Sequence, residues 1–212
     1  MNTNRKEEII LATLELAAEK GLAGVSMSLI ADKIGIKKPS LYKHFSSKDE
    51  IVEAMYQFLR DKSKEKANIQ PVDYSTLFAG KTAYEVLNGV VQGYIRMTHQ
   101  ENLLTFYKVI YSERSIQPMA ARIVAEETER MIVATKQLFY AMEIHKLLHF
   151  ENADMSAVSF AMTVHGLMDY ELDQKYGYDE EKCADSKEYS NKNLLDEYLK
   201  WFCEQNCVEA GD

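Results

Sequence analysis

The chain has little proline, little cysteine and no long apolar run. Three prolines and nine glycines among 212 residues exclude a collagen-like or low-complexity protein. Cys183, Cys203 and Cys207 are odd in number and form no CxxC pair, which argues against a zinc ribbon or a disulfide framework. No segment approaches eighteen apolar residues without a charge, so no membrane span is expected. We therefore predict a soluble cytoplasmic protein without cofactor, bound metal or membrane partner.

Acidic charge is concentrated in the second part of the chain. The whole sequence has 25 Lys+Arg and 33 Asp+Glu, a net charge of −8. Residues 1–66 carry a net charge of +2, and residues 67–212 carry −10. Because salt screens charges that lie more than about 8–10 Å away, the local charge decides whether a surface attracts phosphate. A nucleic-acid-binding surface is therefore expected in the N-terminal third.

Apolar residues recur at helical spacing along most of the chain. Ala, Leu, Glu, Lys and Met are plentiful and no alternating Val/Ile/Thr run is present, so we predict an all-α fold. Gly21 and Gly35 predict the ends of the first two helices, Ser26 and Ser47 predict helix caps, and Pro39 predicts the first turn of a third helix. After a connection at 68–82, further helices are predicted at 83–99, 101–112, 115–142, 154–176 and 190–207. The polar segment 176–190 predicts a surface loop.

The second and third predicted helices have the pattern of a helix-turn-helix. They are short and meet at a tight turn at Gly35. Leu41 and Phe45 lie at i and i+4 and predict a buried face directed toward Ile30 and Ile34. The opposite, solvent-exposed face then consists of Lys38, Pro39, Tyr42 and Lys43. Lys and Tyr can donate to phosphates and base edges, although a three-helix cluster with an exposed lysine-rich face also fits the pattern.

One segment resembles a known family of regulators. Residues 21–58, GLAGVSMSLIADKIGIKKPSLYKHFSSKDEIVEAMYQF, resemble the DNA-binding domain of the TetR (tetracycline repressor) family of one-component transcriptional regulators. The matching features are Ser26, the pair Ile30-Ala31, Gly35, the run Leu41-Tyr42-x-x-Phe45, and Lys48 followed by Asp49-Glu50. The resemblance covers about the first 60 residues, and the rest of the chain is similar only in length and helical content.

The resemblance implies which side chains contact DNA. Those expected at the DNA backbone are Ser26, Ser28, Tyr42, His44 and Lys48. Those expected nearest the bases are Lys37, Lys38, Pro39, Ser40 and Lys43. Lys37 stands where many members have a capping Ser or Thr, and it cannot accept the N–H bonds of the helix start. Lys48 lies in the first turn of the next helix, where the helix dipole disfavours a cation, so an acceptor such as phosphate is expected. His44 also fits a surface residue beside Phe45.

The resemblance also implies a function and a domain organisation. Residues 1–47 would form the three-helix DNA-binding domain, 48–67 a connecting helix, and 68–212 a larger helical domain for ligand binding and dimerisation. The protein would be a homodimer that binds a palindromic DNA operator, represses transcription and responds to a small-molecule effector. It would not be an enzyme. The alternative is an all-α small-molecule-binding protein or enzyme whose N-terminal domain no longer binds DNA.

Two sets of residues are candidates for dimerisation and effector binding. Apolar stripes on the last two predicted helices predict a four-helix dimer interface made by Ala157, Phe160, Ala161, Val164, Met168, Leu195, Tyr198, Leu199 and Phe202. The alternative is that these stripes pack inside their own subunit. An apolar cavity with a few polar groups is predicted among Tyr94, Met97, Phe106, Tyr107, Ile110, Met131, Phe139, Met142, Met162, His165 and Asp169. Most individual methionine and aromatic residues at helical spacing are ordinary core residues.

Catalytic and metal-binding patterns are weak. His145 and His149 lie at i and i+4, as do His165 and Asp169, but neither ExxH nor HExxH accompanies them. The sequence has no GxSxG and no glycine-rich phosphate loop. We therefore expect neither catalysis nor a metal site.

Overall fold

The structure is a computed structural model that describes residues 3–66, 73–177 and 193–208. Within these ranges the chain is helical and contains no strand, which confirms the predicted all-α class. In chain order the helices are α1 (Thr3–Lys20), α2 (Met27–Lys33), α3 (Lys38–Tyr42), α4 (Lys48–Lys66), α5 (Tyr74–Phe78), α6 (Ala83–Thr98), α7 (Glu101–Glu113), α8 (Pro118–Ile144), α9 (Ala153–Gly177) and α10 (Leu194–Gln205). A 3₁₀ turn, Leu22–Gly24, joins α1 to α2 and is called the Leu22 turn below.

The predicted helix boundaries in the N-terminal third are confirmed. Ser26 caps α2 by accepting a hydrogen bond from the Leu29 N–H at 3.2 Å. The Gly35 N–H donates to the Asp32 carbonyl at 3.2 Å, and the Ile36 N–H donates to the Ala31 carbonyl at 2.9 Å. These two bonds form a Schellman motif with Gly35 at φ +69°, so the end of α2 depends on glycine.

Two glycines provide a matched test of this turn. A Cβ on Gly35 or on Gly89, which lies on the exposed side of α6, would meet no atom within 4 Å. Only Gly35 has a positive φ, so Gly35→Ala should destabilise the protein by about 1–2 kcal/mol through backbone strain. Gly89→Ala should stabilise it by about 0.5–1 kcal/mol because alanine favours helix. Urea unfolding of both variants measures this, and equal effects would contradict it.

The first compact unit comprises residues 1–70 and 94–126. Its core joins α1, α4 and α7 with the buried sides of α2 and α3. The rings of Tyr56 and Phe106 stack with their centroids 5.9 Å apart. On the surface of this unit the Arg122 guanidinium bonds the Glu53 carboxylate at 2.5 Å. Because α2, α3 and α7 contribute to one core, the helix-turn-helix is packed on the same apolar residues as α7.

The second compact unit comprises residues 71–93 and 127–212. Phe139 of α8 lies in an aromatic cluster, with ring centroids 4.5 Å from Phe150, 5.3 Å from Phe160 and 5.5 Å from Phe202. These rings join α8, α9 and α10 because each helix contributes at least one of them. The boundary between the units lies inside α6 and α8, and the functional division at residues 47 and 67 stays a prediction.

The later helices lie where the sequence predicts them, with one omission. The segment 68–82 was expected to be a connection, but α5 forms one helical turn within it. Asp73 caps this turn by accepting from the Ser75 N–H at 3.1 Å and the Thr76 hydroxyl at 2.7 Å, and Phe78 is buried. The predicted loop at 176–190 lies mostly outside the described residues. Among the described helices, none combines the length and the apolar character that crossing a bilayer requires.

Candidate nucleic-acid interface

The buried face of the helix-turn-helix is the predicted one. Ile30 of α2 and Leu41 of α3 are fully buried, and Phe45 directly after α3 is nearly so. The Phe45 N–H donates to the Leu41 carbonyl at 3.1 Å, which extends the helical path by a turn beyond Tyr42. These apolar contacts fix the rotation of α3 about its own axis. The residues on its other face are therefore directed to solvent.

The predicted DNA-contacting residues lie at α2, at α3 with its flanking residues, and at the first residue of α4, and all of them are exposed or half-buried. The exposed members are Ser26, Lys37, Lys38, Pro39, Tyr42 and Lys43, and the half-buried members are Ser28, Ser40, His44 and Lys48. The Lys38 ammonium lies 6.0 Å from the centroid of the Tyr42 ring. An aromatic hydroxyl and several cations thus share one solvent-facing surface, which suits contacts to phosphate oxygens and base edges.

The start of α3 lacks a side-chain cap, as predicted. Lys37 occupies the N-cap position and its side chain accepts no bond from the helix. Its carbonyl accepts from the Ser40 N–H at 2.8 Å and the Leu41 N–H at 3.3 Å. Pro39 lies in the first turn and needs no partner for its nitrogen. The first turn of α3 is thus held by backbone bonds and proline.

The turn between α3 and α4 is held by its own side chains. Ser47 caps α4 by accepting from the Glu50 N–H at 3.1 Å, which confirms the predicted cap. The Glu50 carboxylate accepts from the Ser46 hydroxyl at 2.7 Å and the Ser46 N–H at 2.6 Å. These bonds lower the pKa of Glu50, so the carboxylate stays ionised and bound to the turn. The segment that precedes Lys48 is therefore rigidly placed.

Lys48 has a partner that the sequence did not reveal. Its ammonium donates to the Leu22 carbonyl at 2.6 Å. The Leu22 N–H donates to the Glu113 carboxylate, at the end of α7, at 3.0 Å. The helix dipole predicted an acceptor such as phosphate for this cation. The sequence could not identify the Leu22 carbonyl, because it lies 26 residues earlier and leaves no local signal. The Leu22 turn is thus bound from both sides by charged side chains.

The predicted dimer stripes lie in the interior of the second unit. Ala157, Phe160, Ala161, Val164, Met168, Leu195, Leu199 and Phe202 are buried within a single chain, and Tyr198 is half-buried. Phe160 packs against Phe202 with ring centroids 4.8 Å apart. A side chain that is already buried has no surface to give to a second chain. These side chains would therefore add little surface to a dimer, and their place at a dimer interface stays a prediction.

The outer face of α9 carries a different apolar stripe. Its positions at helical spacing are Met155, Ser159, Met162, Gly166 and Tyr170, all exposed. A Cβ on Gly166 would meet no atom within 4 Å, so this side of the helix is open. Trp201 of α10 is also 53% exposed. Exposed Met, Tyr and Trp are residue types enriched at protein interfaces.

The predicted effector-binding residues are divided between the two units. Tyr94, Met97, Phe106, Tyr107 and Ile110 belong to the first unit, and Met131, Phe139, Met142, Met162, His165 and Asp169 belong to the second. Phe106, Tyr107 and Ile110 are part of the first unit's apolar core. Phe139 and Met142 are fully buried in the second unit, whereas Met162 is exposed. Their role in ligand binding stays a prediction.

A polar cleft in the second unit was not predicted. Its volume is about 720 Å³, and it lies between the α8–α9 turn and the end of α10. Its lining comprises Glu143, Lys146, Leu148, His149, Glu151, Ser156, Gln205, Asn206, Cys207 and Val208. None of the predicted effector-binding residues is among them. Its lining combines residues 143–156 with residues 205–208, and a reading of local sequence patterns cannot bring these distant segments together.

The residues of the two histidine pairs make other contacts in the structure. The His145 ring meets the edge of Phe78 at a centroid distance of 5.1 Å. His165 Nδ1 lies 3.9 Å from the Asp169 carboxylate. No group of three potential metal ligands occurs within the described ranges.

Burial raises the pKa of the Cys203 thiol to about 11, so this sulfur is poorly suited to act as a nucleophile.

The N-terminal helices of this chain are similar in sequence to those of known proteins. Residues 9–55 match the family described as bacterial regulatory proteins, tetR family. The transcriptional activator FasR of Mycolicibacterium smegmatis is 40% identical over 53 residues, which are 25% of this chain and 24% of that protein. The class C tetracycline repressor protein of Escherichia coli is 33% identical over 55 residues, 26% of this chain and 25% of that protein. The chain thus matches about a quarter of the length of these relatives.

The fold has counterparts over nearly its full length. The solved structure of the flavonoid-responsive regulator FrrA superposes with a TM-score of 0.67, covering 98% of this chain and 100% of that chain, at 22% sequence identity. At this identity the likeness establishes the helical fold beyond the N-terminal domain and nothing about its ligands.

Proposed function

We propose that this chain, whose residues 9–55 match the family described as bacterial regulatory proteins, tetR family, is a homodimeric transcriptional repressor controlled by a small-molecule effector. The observation that carries the proposal is the outer face of α3, where Lys38, Tyr42 and Lys43 are exposed while Leu41 is buried. Packing fixes this face, so its donors approach the DNA major groove in one orientation. The protein would act in the cytoplasm.

A homodimer is proposed because one short helix contacts few base pairs. α3 has five residues, and two copies related by a twofold axis would read the two halves of a palindromic operator together. The exposed stripe of α9 and the exposed Trp201 of α10 supply apolar surface for the contact. Small residues at Ser159 and Gly166 would let two copies of α9 approach closely. The buried stripe predicted earlier would support this surface from behind.

Control by an effector is proposed on the composition of the larger helical domain. Its aromatic and methionine side chains favour a neutral or cationic, largely apolar molecule over a strongly anionic one, because residues 67–212 carry a net charge of −10. FrrA is named as flavonoid-responsive, and a related apolar aromatic effector would fit this composition. Effector binding would change the separation of the two recognition helices, so that both half-sites could no longer be contacted together.

Selection of bound sequences from a randomised duplex library tests this function. We expect enrichment of a near-palindrome whose half-sites lie about one helical turn or more apart. We also expect the affinity for the selected duplex to fall steeply as salt is raised, because contacts to phosphates release counterions. Failure to enrich any sequence at low salt, with and without candidate effectors, would contradict the proposal. It would favour the alternative of a ligand-binding protein that no longer binds DNA.

The direction of regulation requires its own measurement. One relative is named an activator and another a repressor. A reporter gene placed behind the selected operator should be expressed less when the protein is present. Increased expression would contradict the repressor assignment and leave the DNA-binding assignment unaffected.

A further inference from the structure

Two oppositely charged side chains hold the same residue in the turn before the helix-turn-helix. The Glu113 carboxylate accepts a hydrogen bond from the Leu22 N–H at 3.0 Å. The Lys48 ammonium donates to the Leu22 carbonyl at 2.6 Å. Glu113 is 91 residues from Leu22 in sequence and Lys48 is 26 residues away. The Leu22 turn is therefore bound to α7 and to α4 at once.

Neither charge is located where its own helix would favour it. Lys48 is the first residue of α4, where the helix dipole disfavours a cation. Glu113 is the last residue of α7, where the dipole disfavours an anion. Each ion gains a charge-assisted hydrogen bond to Leu22 instead. This arrangement is expected if the two side chains serve the Leu22 turn rather than the stability of their own helices.

Gly21, the residue before Leu22, lies beside the same carboxylate. A Cβ at this position would lie 2.8 Å from the nearer Glu113 carboxylate oxygen. Gly21 also has φ +68°, a conformation that residues with a side chain rarely adopt. The absence of a side chain therefore permits both the turn and the close position of the carboxylate.

We propose that Glu113 is a positioning residue for DNA binding. Together with Lys48 it fixes the Leu22 turn, which leads directly to Ser26, the cap of α2. The orientation of α2, and of α3 packed against it, would then depend on the position of the end of α7. Lys48 would retain further N–H groups for a DNA phosphate while it holds Leu22. This inference rests on the proposed function, because it concerns how the same surface is oriented.

The test compares Glu113→Ala with Glu113→Gln on the selected operator duplex. Alanine removes the acceptor, and we expect about 10-fold weaker operator binding. Glutamine keeps a carbonyl acceptor at the same place and should bind within about threefold of the unchanged protein. Neither variant should change the slope of log affinity against log salt, because Glu113 contacts no phosphate in this arrangement.

A matched control is available on the surface of the same unit. Glu15 pairs with Lys33 at 2.8 Å and joins α1 to α2 without contacting the Leu22 turn. Glu15→Ala should leave operator affinity within about twofold, because an exposed ion pair contributes little. Hydrogen exchange at the Leu22 amide supplies a readout that does not depend on DNA. The exchange should be at least about 10-fold faster in Glu113→Ala and nearly unchanged in Glu113→Gln.

Two results would overturn the inference. One is operator affinity of Glu113→Ala equal to that of the unchanged protein, with faster exchange at Leu22. The other is hydrogen exchange at the Leu22 amide of the unchanged protein that is already as fast as in a solvent-exposed turn. This result can be obtained without any variant. If the unchanged protein binds no duplex, the proposed function fails and the inference fails with it. If the unchanged protein binds and Glu113→Ala binds equally well, only the inference fails.

Discussion

Replacing both Lys38 and Lys43 with Ala is expected to weaken operator binding by roughly 1,000-fold at 0.15 M salt, because a cation that lies near the bases also neutralises charge of the adjoining phosphates. Both side chains are exposed on the outer face of the helix-turn-helix. If each ammonium of a dimer neutralises one phosphate, four contacts are lost and the slope of log affinity against log salt becomes shallower by about 3.6. The stated loss follows if the two proteins bind equally at about 1 M salt, where counterion release no longer favours binding. Fluorescence anisotropy over a salt series measures both quantities.

The control removes the same amount of charge elsewhere. Lys81 and Lys108 are also exposed and lie outside the helix-turn-helix. The variant Lys81→Ala/Lys108→Ala has the same net charge as the test variant, so a difference between them reflects location. An unchanged salt slope in Lys38→Ala/Lys43→Ala would show that these lysines do not meet phosphates. Equal losses in both variants would instead assign the effect to net charge.

The helix-turn-helix could be predicted because its signals are local. Gly35 fixes a turn, Ser26 and Ser47 cap the helices on either side, and Leu41 with Phe45 fixes the buried face. Each signal acts over four or five residues, so the sequence contains all the information needed. The lack of a cap at Lys37 was predictable for the same reason, since an ammonium cannot accept a hydrogen bond.

Contacts between distant segments could not be predicted in this way. The dipole argument at Lys48 predicted an acceptor such as phosphate, but it could not select the Leu22 carbonyl. The partner of Leu22 on its other side, Glu113, follows only from the packing of α1 against α7. The one-turn helix α5 was missed because five residues are too few to display a period of 3.6.

The helices of the second unit show a related limit. Periodicity correctly grouped Phe160, Val164 and their neighbours on one face of α9, but it could not say what covers that face. The structure shows that α8 and α10 of the same chain cover it, through Phe139 and Phe202. The exposed stripe that includes Met155 and Met162 is less apolar in sequence because Ser159 and Gly166 interrupt it. Small residues at such positions favour close helix contacts, which hydrophobicity alone does not reveal.

Met162→Glu is expected to convert the protein to monomers at micromolar concentration. Met162 is 52% exposed in the single chain and central in the outer stripe of α9. In a twofold contact through this stripe, the new carboxylate would be desolvated and would lie near its symmetry mate. We expect the dissociation constant of the dimer to rise by at least about 100-fold, or about 2.7 kcal/mol. Analytical ultracentrifugation measures it, and binding to the palindromic duplex should be lost in parallel.

Val133→Glu is the matched control, because it distinguishes the surface of α9 from the exposed surface of α8 in the same unit. Val133 of α8 is 53% exposed and gains the same charge in the same solvent-facing setting. It should leave the dimer intact if the stripe of α9 forms the contact. Dissociation caused by Val133→Glu, with a stable dimer of Met162→Glu, would move the interface to α8. If neither variant dissociates, both surfaces are excluded as the dimer interface. The experiments on the DNA-binding face would still be valid, because they concern the other compact unit.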